Sequence, residues 1–332
     1  MKKAALFCNH PPHVEWVYGK GRREKVAALT DLYPEIVTAD SFPRHAAALK
    51  GVEAVFSTWG MPALTGEQLA QLPSFRALFY AAGAVKPFAE PLIERGIVVV
   101  SAWGANAVPV AEYTLSQILL ATKGYFRNTR DSKDAGRRRG GQCFSGRGNY
   151  GETIALIGAG QVGRKLMEML KPFALSVLAV DPYLSEEEAR RLGVRKATLQ
   201  EAFAQAYVVS NHLPNIPSTV GLLNRPLFAS MRPDATFINT GRGAQVVEPD
   251  LVAVLKERPD LTALLDVTDP EPPAEGSEFY TLPNVHLTSH IAGSLGDEVV
   301  RMADYMIEEF QRWEQGEPLH YQITKDMLPR LA

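Results

Sequence analysis

Only two cysteines stand in these 332 residues, Cys8 and Cys143, far apart and at no metal-ligand or disulfide spacing. Their scarcity excludes a disulfide-stapled scaffold and a cysteine-based metal centre, and it favours a reducing, cytoplasmic setting with both thiols free. Long hydrophobic runs are missing too. No stretch approaches the roughly 18 apolar residues of a membrane span, and the apolar residues 4–8 are too few for a signal-peptide core. Nor is there an excess of charge: 35 Lys and Arg against 37 Asp and Glu leave a net charge of -2, so no overall field gathers nucleic acid or anionic lipid. There is no low-complexity tract and no short-period repeat.

What remains is an ordinary globular composition, 46% hydrophobic and 22% charged. The length exceeds the usual single core and predicts two domains. Short apolar and β-branched runs alternate with stretches of helical period, the pattern of βαβ units around a parallel sheet. The first series predicts strands at 4–8, 35–38, 54–58, 77–81 and 97–101, with helices at 22–32, 44–49 and 66–71. A long helix is predicted over 110–123, followed by an exposed basic arm over 131–149 that holds Arg137, Arg138, Arg139 and Arg147. The second series predicts six strands, at 153–157, 176–180, 207–210, 236–239, 262–266 and 285–288, and a last amphipathic helix over 295–313. The expected fold is α/β, two Rossmann-like or flavodoxin-like doubly wound parallel sheets. Residues 1–102 with 295–332 would form a discontinuous substrate domain, and 103–294 a nucleotide domain.

Between the strand at 153–157 and the next helix stands Gly158-Ala-Gly160-Gln161-Val162-Gly163. In that place each glycine has a physical task. Gly158 makes the tight turn, Gly160 admits a pyrophosphate to the backbone, and Gly163 lets helix and strand pack closely, with phosphate over the helix N-terminus where Gln161 and Val162 begin it. Asp181 follows the next strand. A carboxylate there accepts hydrogen bonds from both ribose hydroxyls and repels a 2′-phosphate, which points to NAD rather than NADP.

Three further segments end later strands of the same domain, where open parallel sheets place ligands: Asn239-Thr240-Gly241-Arg242-Gly243, Asp266-Val-Thr-Asp-Pro-Glu271-Pro272 and Ser289-His290-Ile-Ala-Gly293. Reduction of a 2-keto acid needs a cation for the carboxylate and a proton donor for the new alkoxide. Arg242 offers a bidentate fork, His290 the proton, and Glu271 a partner that fixes the imidazole tautomer and stabilises its protonated form. No metal is required.

Taken in order and spacing, the fingerprint with Asp181, the segment His212-Leu213-Pro214 and these three motifs resemble the D-isomer specific 2-hydroxyacid dehydrogenase family over nearly the whole chain. The resemblance implies Arg242 as substrate anchor, Glu271 as histidine partner and His290 as general acid/base. It further implies Asp266 at the nicotinamide carboxamide, Leu213 and Pro214 at the adenine side, Thr240 near the nicotinamide, an active-site cleft between the two domains and a homodimer. Ala82, Gly83 and Ala84 would meet the substrate through backbone amides, although the family's acidic residues are missing from this loop and Lys86-Pro87 stand in it. Trp59 after the third strand is expected near the substrate. The basic arm reads first as a solvated linker or a stretch packing across a dimer interface, since the chain as a whole is not basic, with no nucleic-acid or membrane partner expected. A nucleic-acid or protein contact through it, and an NAD(H)-sensing, corepressor-like protein without turnover, stand as the other readings.

Overall fold

The computed structural model describes residues 1–136 and 148–331. Arg137, Arg138, Arg139, Arg147 and Cys143 lie outside the described residues, and the arm reading with them. The chain divides into two compact units, Met1–Asn106 with Ser294–Ala332, and Ala107–Gly293. Residues 103–106 group with the first unit because Ala105 is buried in its core, a few residues beyond the boundary expected at 102.

Unit 1 holds β1 (Lys3–Phe7), β2 (Asp31–Val37), β3 (Ala54–Ser57), β4 (Ala77–Tyr80) and β5 (Val98–Ser101). Their order is β5-β4-β3-β1-β2, all parallel, which is the flavodoxin-like winding. Pro34 is tolerated in β2 because this is the sheet edge, where a missing N–H leaves no ladder broken. Two helices of this unit escaped the pattern reading, Ala89–Glu94 and Pro11–Val17; the latter starts on two prolines, which look like a loop in sequence yet fit a first helical turn.

Unit 2 holds β6 (Tyr150–Ile157), β7 (Ala174–Val180), β8 (Arg195–Lys196), β9 (Val208–Asn211), β10 (Thr236–Asn239), β11 (Thr262–Leu265) and β12 (Val285–Leu287). The order β8-β7-β6-β9-β10-β11-β12 is that of a doubly wound nucleotide-binding sheet. Seven strands replace the expected six, since the two-residue edge strand β8 is too short to show a period. Ile157 pairs with Val180 and Asn211, Asn211 with Asn239, Asn239 with Leu265, and Leu265 with Leu287. This register brings the carboxyl ends of the strands level, so loops far apart in sequence emerge side by side. The helix Gln161–Leu170 buries Gly163, Leu166, Met167 and Leu170, an i, i+3, i+4, i+7 stripe laid on the sheet.

The helix expected over 110–123 begins earlier, at Trp103, and carries Pro109 inside it. Proline removes one i→i−4 bond without ending the helix here. The last helix also differs. A 3₁₀ turn, Gly296–Val299, precedes Val300–Gln315. Phe310 on that helix is fully buried, its ring 5.3 Å from Phe56 and 5.5 Å from Phe79, a burial of about 1.5–3 kcal/mol. The tail then adds β13 (Gln322–Ile323), antiparallel on β5. Its approach is held by the buried Glu309 carboxylate, which accepts the N–H groups of His320 and Tyr321 at 3.0 and 3.1 Å.

Candidate active site

The loop after β6 is shaped by its glycines. Gly158 has φ +103°, and a Cβ there would lie 2.6 Å from the carbonyl oxygen of His212; a Cβ on Gly163 would lie 2.1 Å from that of Gly158. Both positions are closed to larger residues. At Gly160 the added atom would meet nothing within 4 Å, and no side chain caps the helix that follows. Its first amides therefore face open space with no acid in the first turn, which suits a pyrophosphate. Asp181 closes the other side: its carboxylate accepts the N–H of Ala159 and of Tyr183, each at 2.7 Å, so its position is fixed by backbone. Arg164, the first basic side chain of the fingerprint helix, is engaged by Glu188 and does not pair with Asp181. These features fit an adenine dinucleotide with free ribose hydroxyls.

Next comes a set of amides that the sequence reading did not single out. Asn211 and Asn239 end adjacent strands in register, and Asn211 Nδ2 donates to Asn239 Oδ1 at 2.9 Å and to Gln245 Oε1 at 2.8 Å. Gln245 Oε1 also accepts the N–H of Arg242 at 2.9 Å, while Asn239 Nδ2 donates to the Arg242 carbonyl at 3.2 Å. Arg242 thus has its backbone held from both sides by buried amides. Its guanidinium donates to the carbonyl of Gly241 at 2.8 Å, and no carboxylate pairs with it among the described residues. Gln245 Nε2 in turn donates to the carbonyl of Pro214, and Asn211 Oδ1 accepts the N–H of Leu213. The signal for part of this clamp is an asparagine at the end of both β9 and β10; Gln245, in the turn after Arg242, carries none.

The half-buried His212 is a second feature of the same loops. Thr114 donates to the Val110 carbonyl and stands 3.3 Å from Thr240 Oγ1, which is 3.3 Å from His212 Nδ1; Ser210 Oγ is 2.9 Å from Nε2. With the Thr114 proton spent on Val110, the consistent direction is His212 Nδ1–H to Thr240, Thr240 to Thr114, and Ser210 to Nε2. Burial pushes His212 down to about 4, so the ring is neutral in this chain of bonds.

His290 has φ +58°, in the left-handed region a β-carbon disfavours. Asp266, 3% exposed, holds it there. Its carboxylate accepts Thr288 Oγ1 at 2.6 Å, the N–H of Ile291 at 2.8 Å and that of Ala292 at 3.0 Å, while its own carbonyl accepts the N–H of His290 at 3.1 Å. Tyr113 OH, 3.0 Å from Thr288 Oγ1, completes the set. The bonds to the histidine loop take three of the roughly four acceptor positions of the Asp266 carboxylate, expected at the nicotinamide carboxamide. His290 Nδ1 lies 2.6 Å from Glu271 Oε1, both side chains remaining about half exposed. A carboxylate on Nδ1 leaves Nε2 as the working nitrogen. The Glu271 loop is seated on the arginine segment, since a Cβ on Gly243 would come within 2.0 Å of Thr268.

Unit 1 carries the remaining expected residues. Ala82 is fully buried, with its N–H given to Tyr80 and its carbonyl 2.8 Å from Ser101 Oγ. Its side chain belongs to the core. The N–H groups of Gly83 and Ala84 have no acceptor among the described residues. Trp59 is partly buried, 5.8 Å from the ring of Trp16, and its carbonyl meets His13 Nδ1 at 2.9 Å. No group of three His, Cys, Asp or Glu among the described residues could hold a metal ion.

A seven-stranded doubly wound sheet with this glycine turn, Asp181 and a histidine–carboxylate pair defines a dinucleotide-binding unit of the dehydrogenase type. Residues 115–292 match the NAD-binding domain of the D-isomer specific 2-hydroxyacid dehydrogenases. Over 246 residues the chain is 32% identical to YoaD of Bacillus subtilis, provisionally named a 2-hydroxyacid dehydrogenase, covering 71% of this chain and 70% of that one. It is 31% identical over 231 residues to a D-3-phosphoglycerate dehydrogenase of Archaeoglobus fulgidus, covering 70% of this chain but 44% of that protein. The chain therefore spans less than half the length of that relative. The D-mandelate dehydrogenase of Rhodotorula graminis has the same fold, with a TM-score of 0.78 at 21% identity and 98% of both chains covered. The chain belongs to the D-isomer specific 2-hydroxyacid dehydrogenase family.

Proposed function

We propose that the protein is an NAD-dependent oxidoreductase that interconverts a small 2-hydroxy acid and its 2-keto acid. The observation that carries this reading is the His290–Glu271 pair at 2.6 Å, on a loop fixed by a buried aspartate, with the guanidinium of Arg242, paired with no carboxylate among the described residues, on a neighbouring, rigidly held loop. Bound NAD would supply the hydride acceptor or donor at its nicotinamide. Gly158, Gly160, Gln161, Val162, Gly163 and Asp181 would hold its pyrophosphate and adenosine ribose, with Leu213, Pro214 and Thr240 along the rest.

The protein's own residues do the remaining chemistry. Arg242 binds the substrate carboxylate through two parallel N–H bonds and draws charge from the adjoining carbonyl. His290 Nε2 gives a proton to the alkoxide oxygen during reduction and takes one from the hydroxyl during oxidation, while Glu271 keeps Nδ1 protonated and compensates the imidazolium. Purified protein should oxidise NADH with at least one member of a panel of 2-keto acids, followed at 340 nm, and His290→Gln or Arg242→Ala should lower the rate by about 10²-fold or more. Tight NADH binding with no keto acid reduced would favour the sensing alternative instead. Cytoplasmic location and a homodimer go with this reading; among the described residues no helix is long and apolar enough to cross a membrane, and light scattering of the purified chain reads the assembly.

A further inference from the structure

The Glu271 loop has a tether that the mechanism above does not use. Glu248 opens the helix Glu248–Glu257, and its Oε1 accepts the N–H of Asp269 at 2.8 Å, two positions before Glu271. On its inner side the loop rests on Gly243, with Thr268 and Asp269 backbone atoms where a Cβ would be, and Thr268 Oγ1 donates to the Pro270 carbonyl at 2.8 Å. Along Glu248 and Asp269 runs a pocket of about 480 Å³, floored by Val246, Val252 and Phe279. Close packing is absent on that flank, so the loop is fixed there by a hydrogen bond. Besides Glu248 and Asp269 itself, the pocket is lined by one more carboxylate, Glu278, which is paired with Lys256 at 2.7 Å and does not compete for the Asp269 amide.

We propose that Glu248 is a positioning residue for the proton-handling pair: by anchoring the Asp269 amide it sets where the Glu271 carboxylate stands beneath His290 Nδ1. The inference rests on the reading of His290 and Glu271 as that pair. Glu248 is not among the residues read here as meeting substrate or cofactor. Its removal should leave the Arg242 anchor, and hence KM, nearly unchanged and lower kcat. A glutamine keeps an oxygen that can accept the same N–H, whereas an alanine does not.

The test compares Glu248→Ala with Glu248→Gln in the full chain by three measurements. Hydrogen exchange at the Asp269 amide should quicken at least about tenfold in the alanine variant and stay near wild type in the glutamine variant. The low-field NMR signal of the His290 Nδ1–H, assigned by its loss in His290→Gln, should broaden or vanish only in Glu248→Ala. kcat should fall about 5- to 30-fold there with KM within twofold, and recover in Glu248→Gln. Both variants lose the same charge from the helix N-terminus, so a shared fall in melting temperature is structural and does not count. An intact His290 signal in a folded Glu248→Ala protein overturns the proposal. Should that variant fail to fold, loss of the signal in a folded Glu248→Gln protein whose Asp269 amide stays protected would overturn it as well, and a signal kept there with normal kcat supports it. If wild type reduces no keto acid but the signal still depends on Glu248, the activity reading fails and the positioning role stands.

Discussion

Asp266→Asn separates two roles for one residue. The Asp266 carboxylate, 3% exposed, accepts three hydrogen bonds from the loop that carries His290, at 2.6, 2.8 and 3.0 Å. Asparagine is nearly the same size but has one acceptor oxygen. If that oxygen takes Thr288 and Ile291, the new NH₂ faces the N–H of Ala292; if the amide is turned, it faces that of Ile291. Either way one buried backbone donor meets another donor. A lost bond to a charged acceptor and the stranded donor cost about 2–4 kcal/mol. At roughly 2–4 °C per kcal/mol for a unit of this size, the melting transition should fall about 4–16 °C. The assay is scanning calorimetry of the full chain without cofactor, with NADH affinity measured beside it. A melting temperature within about 1 °C of wild type, with only NADH binding weakened, would refute the scaffold role and restore Asp266 to the carboxamide.

Asp181→Ala removes a carboxylate fixed at the end of β7 and should shift the ratio of NADPH to NADH dissociation constants at least tenfold toward NADPH in fluorescence titrations. Gly163→Ala puts a methyl 2.1 Å from the Gly158 carbonyl, backbone that cannot step aside, and should abolish NADH binding by calorimetric titration. Phe310→Ala should cost about 3–5 kcal/mol in urea unfolding, since its ring is fully buried against Phe56 and Phe79. His212, near 4 when folded and an ordinary 6.5 when unfolded, binds more protons in the unfolded chain between those values. Stability should therefore fall as pH drops through 6.5 and finish falling near 4, by at most about 3 kcal/mol; melting curves of His212→Asn should lack that slope.

The fingerprint is legible in sequence because most of its demands are local. A glycine at 158 answers to a positive φ and one at 163 to the Gly158 carbonyl, with the spacing between them that of a single turn; only the approach of the His212 carbonyl to Gly158 is long-range. The helix Gln161–Leu170 was readable for the same reason, its apolar stripe and start signal lying within ten residues. The first helix and the helix from Trp103 were misjudged because proline carries opposite meanings at a first turn and in an interior, and the chain alone does not say which applies.

The residues that hold the site in shape were hidden for a different reason. Asn211, Gln245 and Glu248 act across separations of 28, 34 and 21 residues, and their meaning exists only once the strand ends are level. Asn211 without Asn239 beside it is one more polar residue after an apolar run. With β9 and β10 in register, the same side chain becomes half of a clamp on Arg242. Asp266 shows how far this goes. Resemblance implies a cofactor contact for it, and three donors from one loop add to its carboxylate the task of keeping His290 at φ +58°. Reactive groups are recognisable by type and spacing, because chemistry restricts which side chains will serve. Their supports are recognisable only by geometry, because any buried acceptor in the right place would do.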